Sequence, residues 1–159
     1  MVGFDVMNKR IKLLGGVKIY NRRNRNTPRG VIYGGRPTIL GNPFVVGRHG
    51  IQGECCNLFE AWLMTGQWRH IKDIDCPEAT EDKRLAILAM LPELEGKDLE
   101  CWCWPNRCHL ETVAYLANFE TVGKMENVDK FLELELKRLQ EFTISIRPSI
   151  RPQDLTGNK

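Results

Sequence analysis

The stretch Gly96-Lys97-Asp98-Leu99-Glu100-Cys101-Trp102-Cys103-Trp104-Pro105-Asn106-Arg107-Cys108-His109, running on through Leu110 to Phe119, decides how this chain is read. Gly96 to Glu100 reads as a turn feeding a strand, and Leu110 to Phe119 as a helix. On a strand, alternate side chains share a face, so Cys101 and Cys103 point one way and Trp102 and Trp104 the other. Cys108 and His109 fall at or near the first turn of the helix. Three of the six cysteines and one of the three histidines therefore meet where a strand gives way to a helix. Sites in α/β proteins commonly lie at such junctions.

Outward from this stretch, the same rhythm recurs. Val17-Lys18-Ile19-Tyr20-Asn21 alternates as a first strand, and Gly30-Val31-Ile32-Tyr33-Gly34 is a short apolar run bounded by glycines, as a buried second strand would be. Arg22 to Arg29 is polar, carries Pro28 and reads as a loop. Residues 54–65 place Cys56, Phe59, Leu63 and Met64 near helical spacing, with Gly66 as the stop. Residues 81–91 repeat the pattern through Leu85, Leu88 and Leu91. The expected architecture is α/β: a small three-layer, Rossmann-like domain with a short, mainly parallel sheet over residues 15–120. Residues 1–14 form a weakly patterned lead-in. Residues 121–159 are expected to form a helical extension, with Asn127 as a candidate helix cap, followed by a Pro/Arg tail. That tail repeats Ser145-Ile146-Arg147-Pro148 as Ser149-Ile150-Arg151-Pro152, and its prolines exclude a helix and favour extended chain.

At 159 residues the chain is long enough for a core of its own. No apolar run approaches the roughly 20 residues of a membrane span, and the N-terminus lacks the basic start and apolar stretch of a signal peptide. A cytoplasmic location and reduced thiols are expected. The net charge of +3 conceals an asymmetry. Residues 1–50 carry ten Lys or Arg against the single acid Asp5, a balance of +9, so the remainder carries −6. A basic third of this kind fits a phosphorylated small molecule or nucleic acid, or a solvated arm with no ligand.

A second motif, Tyr33-Gly34-Gly35-Arg36-Pro37-Thr38-Ile39-Leu40-Gly41-Asn42-Pro43-Phe44, follows the second strand directly. Gly34 and Gly35 would let backbone amides approach a ligand, and Arg36 offers a fork for phosphate or carboxylate. Asn42, between Gly41 and Pro43, is placed to read a base edge or to fix a turn, and Gly-Asn-Pro is also an ordinary turn sequence. No Gly-x-Gly-x-x-Gly and no Walker sequence is present, so dinucleotide binding and NTP hydrolysis draw no support.

Taken together, Tyr-x-Gly-Arg-Pro-Thr-x-Leu-Gly-Asn-Pro-Phe and Gly-Lys-x-Leu-x-Cys-Trp-Cys-x-Pro-x-x-Cys-His before a helix resemble a family of small bacterial and bacteriophage proteins catalogued as domain of unknown function 4326. The resemblance covers about residues 17–119 and implies no established activity. Its members often continue Cys-His with Gly-Asp. Here Leu110-Glu111 follow, so any role of that acid falls to Glu111, one carbon longer.

Three chemistries suit the cysteine cluster. Cys101, Cys103, Cys108 and His109 make a Cys₃His set for zinc, although Cys-x-Cys and an adjacent Cys-His are unusual zinc spacings. Cys108, at a helix N-terminus beside Arg107 and His109, could be a low-pKa nucleophile, with His109 as acid or base and Cys103 as a second or resolving thiol. The cluster could also be core, as is expected of Cys55, Cys56 and Cys76. His49 and His70 are expected at the surface. The functional expectation is an enzyme that takes a nucleotide or other phosphorylated small molecule between Gly34, Gly35, Arg36, Gly41 and Asn42 and the cysteine cluster. The alternative is a non-enzymatic nucleic-acid-binding module with structural zinc.

Overall fold

A computed structural model describes residues 2–24 and 27–120. The order of elements is α1 (Val2–Leu13), β1 (Ile19–Asn21), β2 (Ile32–Tyr33), α2 (Gln52–Thr65), α3 (Glu81–Leu94), β3 (Leu99–Cys101) and α4 (Leu110–Ala117). The three strands form one parallel sheet in the order β1-β3-β2. Ile19 and Ile32 both lie level with Leu99, and Tyr20 and Tyr33 both lie level with Glu100. The strand that carries the first cysteine is thus the central one. The expected small α/β domain with a parallel sheet is what the structure has. Among the described residues no helix is long and apolar enough to cross a membrane.

The core fills around α2, whose Leu58, Phe59, Trp62 and Leu63 are all but fully buried. Both ends of this helix have local causes. The Glu54 carboxylate accepts the Ile51 N–H at 3.0 Å, and Gly66 closes the helix at φ 80°, donating its N–H to Trp62 O at 2.8 Å. On α3, the Thr80 hydroxyl accepts the Lys83 N–H at 3.1 Å. Its Arg84, although buried, donates to Leu63 O at 3.0 Å and to Glu81 at 3.0 Å, which satisfies the charge where α3 meets α2. Cys55, Cys56 and Cys76 belong to the core, as expected.

The lead-in is a helix rather than a weakly patterned segment. Besides Leu13, which packs on the core, α1 is tied down by a contact from 101 residues away: Arg10 makes a bidentate pair with Glu111 of α4 at 2.6 and 2.7 Å. The same guanidinium lies 5.0 Å from the centre of the Trp104 ring. His49 also departs from expectation, being buried at 4 % exposure, whereas His70 is exposed as expected. The His49 ring meets Phe44 edge-on, and its Nδ1 accepts the Val45 N–H at 2.8 Å. The helix expected from Asn127 and the Pro/Arg tail lie outside the described residues.

Candidate metal centre and its cavity

The backbone carries Cys101 to the end of β3, turns through residues 102–107 and delivers Cys108 to the start of α4. Cys101 Sγ lies 2.9 Å from Cys108 Sγ and 3.5 Å from Cys103 Sγ, and the three sulphurs fall within 4.8 Å of one another. A tetrahedral zinc with Zn–S near 2.3 Å sets its sulphurs about 3.8 Å apart. The 3.5 Å pair is close to that, and the 2.9 Å pair is shorter and would have to open. The three thiols are near enough for one ion to be held by all of them. Cys101 and Cys108 are buried, while Cys103 is partly exposed.

The turn is held from every side. Asn21, at the end of β1, donates its amide to the carbonyls of Trp102 and Trp104. Arg10 donates to Asn106 O at 3.1 Å, and Gln52 of α2 donates to Arg107 O at 2.6 Å. Glu111 accepts the Cys108 N–H at 2.8 Å while it pairs with Arg10. The acid that follows Cys-His therefore does have a position, and it orients the last cysteine's backbone. Nothing in the local sequence around Asn21 or Gln52 marked them for this work.

His109 contributes no atom to the sulphur group. Its Nε2–H donates to Gly34 O at 2.9 Å and to Leu40 O at 3.0 Å, and its ring meets Phe59 edge-on at 5.1 Å. Burial lowers its pKa, which keeps the ring neutral. The fourth ligand of the expected Cys₃His set is therefore a tie between two loops in this structure. Cys108 also differs from a low-pKa nucleophile: it is fully buried, and its hydrogen bond to Cys101 raises its pKa. Cys101 is pulled down by S–H donation from Cys103 and Cys108 and then by the backbone N–H groups of Cys103 and Trp104, while Cys103 is raised by its contact with Cys101. Neighbouring thiols that share one negative charge behave in this way.

A cavity of about 550 Å³ opens beside the cluster, lined by Cys101, Cys103 and His109 on one side and by Gly35, Arg36 and Asn42 on the other. Both sequence motifs therefore meet at it. Arg23, Tyr33 and Trp102 also line it, and no Asp or Glu does among the described residues. A concave site with two arginines and no carboxylate suits an anion.

The glycine loop, by contrast, is shaped by its own packing. A Cβ at Gly34 would lie 2.6 Å from Leu110, one at Gly35 would clash with the Tyr33 hydroxyl, and one at Gly41 would lie 3.0 Å from the Arg36 backbone. Gly34 and Gly41 are buried and stand behind the cavity wall. Asn42 fixes the turn: its Nδ2 donates to Cys55 O at 3.2 Å and its Oδ1 accepts the Phe44 N–H at 2.9 Å. Arg36 is exposed and gives one of its five donors to Asn42 O at 3.0 Å.

His49, Cys76 and Glu78 form a second group within 4.8 Å. Each already has a structural partner: Val45 N–H for His49, Pro43 O for Cys76 and Arg48 for Glu78. With Nδ1 accepting, the neutral ring carries its proton on Nε2 and offers no lone pair there. We read this group as a latch on the loop after Pro43.

Because Cys103 alone of the six cysteines is not buried, a bulky thiol reagent should label the reduced, metal-free native protein at one cysteine per chain. Peptide mapping should find the label on Cys103. Rapid labelling of two or more cysteines before unfolding would contradict this geometry.

The chain belongs to the family described as domain of unknown function (DUF4326), whose model matches residues 17–119, more than half of the 159 residues. Neither the curated proteins nor the solved structures contain a match.

Proposed function

We propose that this protein is a cytoplasmic enzyme that binds a nucleotide or another phosphorylated small molecule in the cavity and acts on it at the cysteine cluster. The observation that carries this reading is the meeting of three convergent sulphurs with an acid-free, arginine-lined cavity. Structural zinc sites close with four protein ligands, whereas catalytic ones keep a position open. At this cluster three ligands, Cys101, Cys103 and Cys108, converge among the described residues, which favours the open kind. Soft thiolates select zinc over magnesium or calcium, so these three residues would hold zinc. When bound, zinc there would supply Lewis acidity towards an oxygen or nitrogen of the substrate. Arg23 and Arg36 bind the phosphate, Cys103 presents the cluster to the cavity, and neutral His109 keeps the two loops in register. The basic residues of the first third draw an anionic ligand towards the site.

The test is calorimetric titration of the zinc-loaded protein with nucleoside 5′-monophosphates and ribose 5-phosphate, followed by mass-spectrometric analysis of the incubated mixtures. At least one compound should bind and be consumed. Arg36→Ala should weaken binding about tenfold, the loss expected for one charge-assisted contact. Cys103→Ala should stop turnover. If no phosphorylated small molecule binds, while DNA or RNA binds with a steep salt dependence, the protein is the nucleic-acid-binding module instead.

A further inference from the structure

Trp102 is 51 % exposed, yet it is not loose. Its indole N–H donates to the Tyr33 hydroxyl at 3.0 Å, and that hydroxyl donates to Arg36 O at 2.8 Å. The Arg22 guanidinium lies 4.2 Å from the centre of the Tyr33 ring and 6.0 Å from that of Trp102, and it is held in turn by Glu100 at 2.9 Å. A large aromatic side chain left half in water is ordinarily free to turn. This one is fixed by a hydrogen-bonded chain that ends on the backbone of the residue offering the phosphate fork. Both rings line the cavity, alongside Asn106.

The two asparagines of the cavity differ. Asn42 uses both ends of its amide within the protein, whereas the Asn106 side chain has no hydrogen-bond partner among the described residues. A free carboxamide offers donors and an acceptor together, the pairing that reads the edge of a base. We infer that the ligand carries a flat heteroaromatic base, which stacks on Trp102 and presents its polar edge to Asn106 while its phosphate meets Arg36 and Arg23. The ligand is then a nucleotide rather than a sugar phosphate. This inference rests on the functional reading above and narrows it. Stacking on an aromatic platform tolerates any base, so Trp102 supplies affinity and Asn106 discrimination.

The experiment titrates the 159-residue chain with the four common ribonucleoside 5′-monophosphates and with ribose 5-phosphate, which lacks the base. In the unmodified protein the best nucleotide should bind at least tenfold more tightly than ribose 5-phosphate. Trp102→Ala should erase most of that difference, and Trp102→Phe, which keeps a ring without the indole N–H, should retain much of it. Asn106→Ala should compress the spread among the four bases without changing ribose 5-phosphate binding. Unchanged ribose 5-phosphate affinity in the variants shows that the fold and the phosphate site survive. Ribose 5-phosphate binding as tightly as every nucleotide, or a Trp102→Ala variant that keeps the full preference, overturns the base platform and leaves the phosphate reading standing. Failure of all five compounds to bind ends both.

Discussion

Replacing Cys101 with serine is expected to leave the protein unable to retain zinc. Cys101 stands between the other two sulphurs, 2.9 Å from one and 3.5 Å from the other, and is 1 % exposed. Serine nearly preserves the volume, so the metal-free fold should change little, but a hydroxyl is a poor zinc ligand beside a thiolate. A ligand held a thousandfold above its Kd adds about 4 kcal/mol to the folded state. For a domain of this size that corresponds to a rise in melting temperature of about 10–20 °C. Elemental analysis of reduced, zinc-loaded protein should give one zinc per chain, and a chelator should lower the melting temperature by about that amount. The Cys101→Ser variant should hold no zinc and melt at the same temperature with or without chelator. Full zinc occupancy in the variant would sink the three-cysteine centre. A parent protein that stays zinc-free after loading would turn the cluster over to thiol chemistry, with Cys103 the accessible sulphur.

Most of the frame was legible in the sequence because its signals are local. The alternation of Val17 to Asn21, the glycine-bounded run at Ile32, the helical spacing before Gly66 and the Leu85-Leu88-Leu91 series each describe a segment that answers to its own pattern. What escaped was long-range. The helix Val2–Leu13 is pinned by an arginine whose partner lies 101 residues on, and no window of sequence contains both. His49 is buried because Phe44 and the Val45 amide receive it, and a lone histidine carries no periodicity to announce that. Gly34 and Gly35 are expected from the sequence to let a ligand approach, and in the structure they and Gly41 make room for internal packing. Sequence names the need for space and not its occupant, which proves to be Leu110, the Tyr33 ring and the Arg36 backbone. For the same reason two asparagines in turn-like contexts, Asn42 and Asn106, could not be told apart before their hydrogen bonds were known.

His109 joins the two motifs in the fold, and its removal should be strongly destabilising. Its Nε2–H is shared by the carbonyls of Gly34 and Leu40, which lie at the start and near the end of the glycine loop. The imidazole thereby fastens that loop to the first turn of the helix beginning at Leu110. A buried carbonyl stripped of its donor costs about 1–3 kcal/mol, and the ring also leaves its edge-on contact with Phe59. His109→Ala is therefore expected to lose about 3–4 kcal/mol, a large share of the 5–15 kcal/mol that typically holds a domain together. Denaturant titration measures this directly. His109→Phe separates the two contributions, because it restores a ring of similar size against Phe59 but supplies no donor. If the tie to the carbonyls dominates, the phenylalanine variant should recover less than half of the loss, and the cavity should still bind phosphorylated compounds more weakly, since Arg36 is carried by the freed loop. Stability equal to the parent in His109→Phe would mean that packing alone holds the histidine. The imidazole would then have to be reconsidered as a group kept for chemistry rather than for fastening.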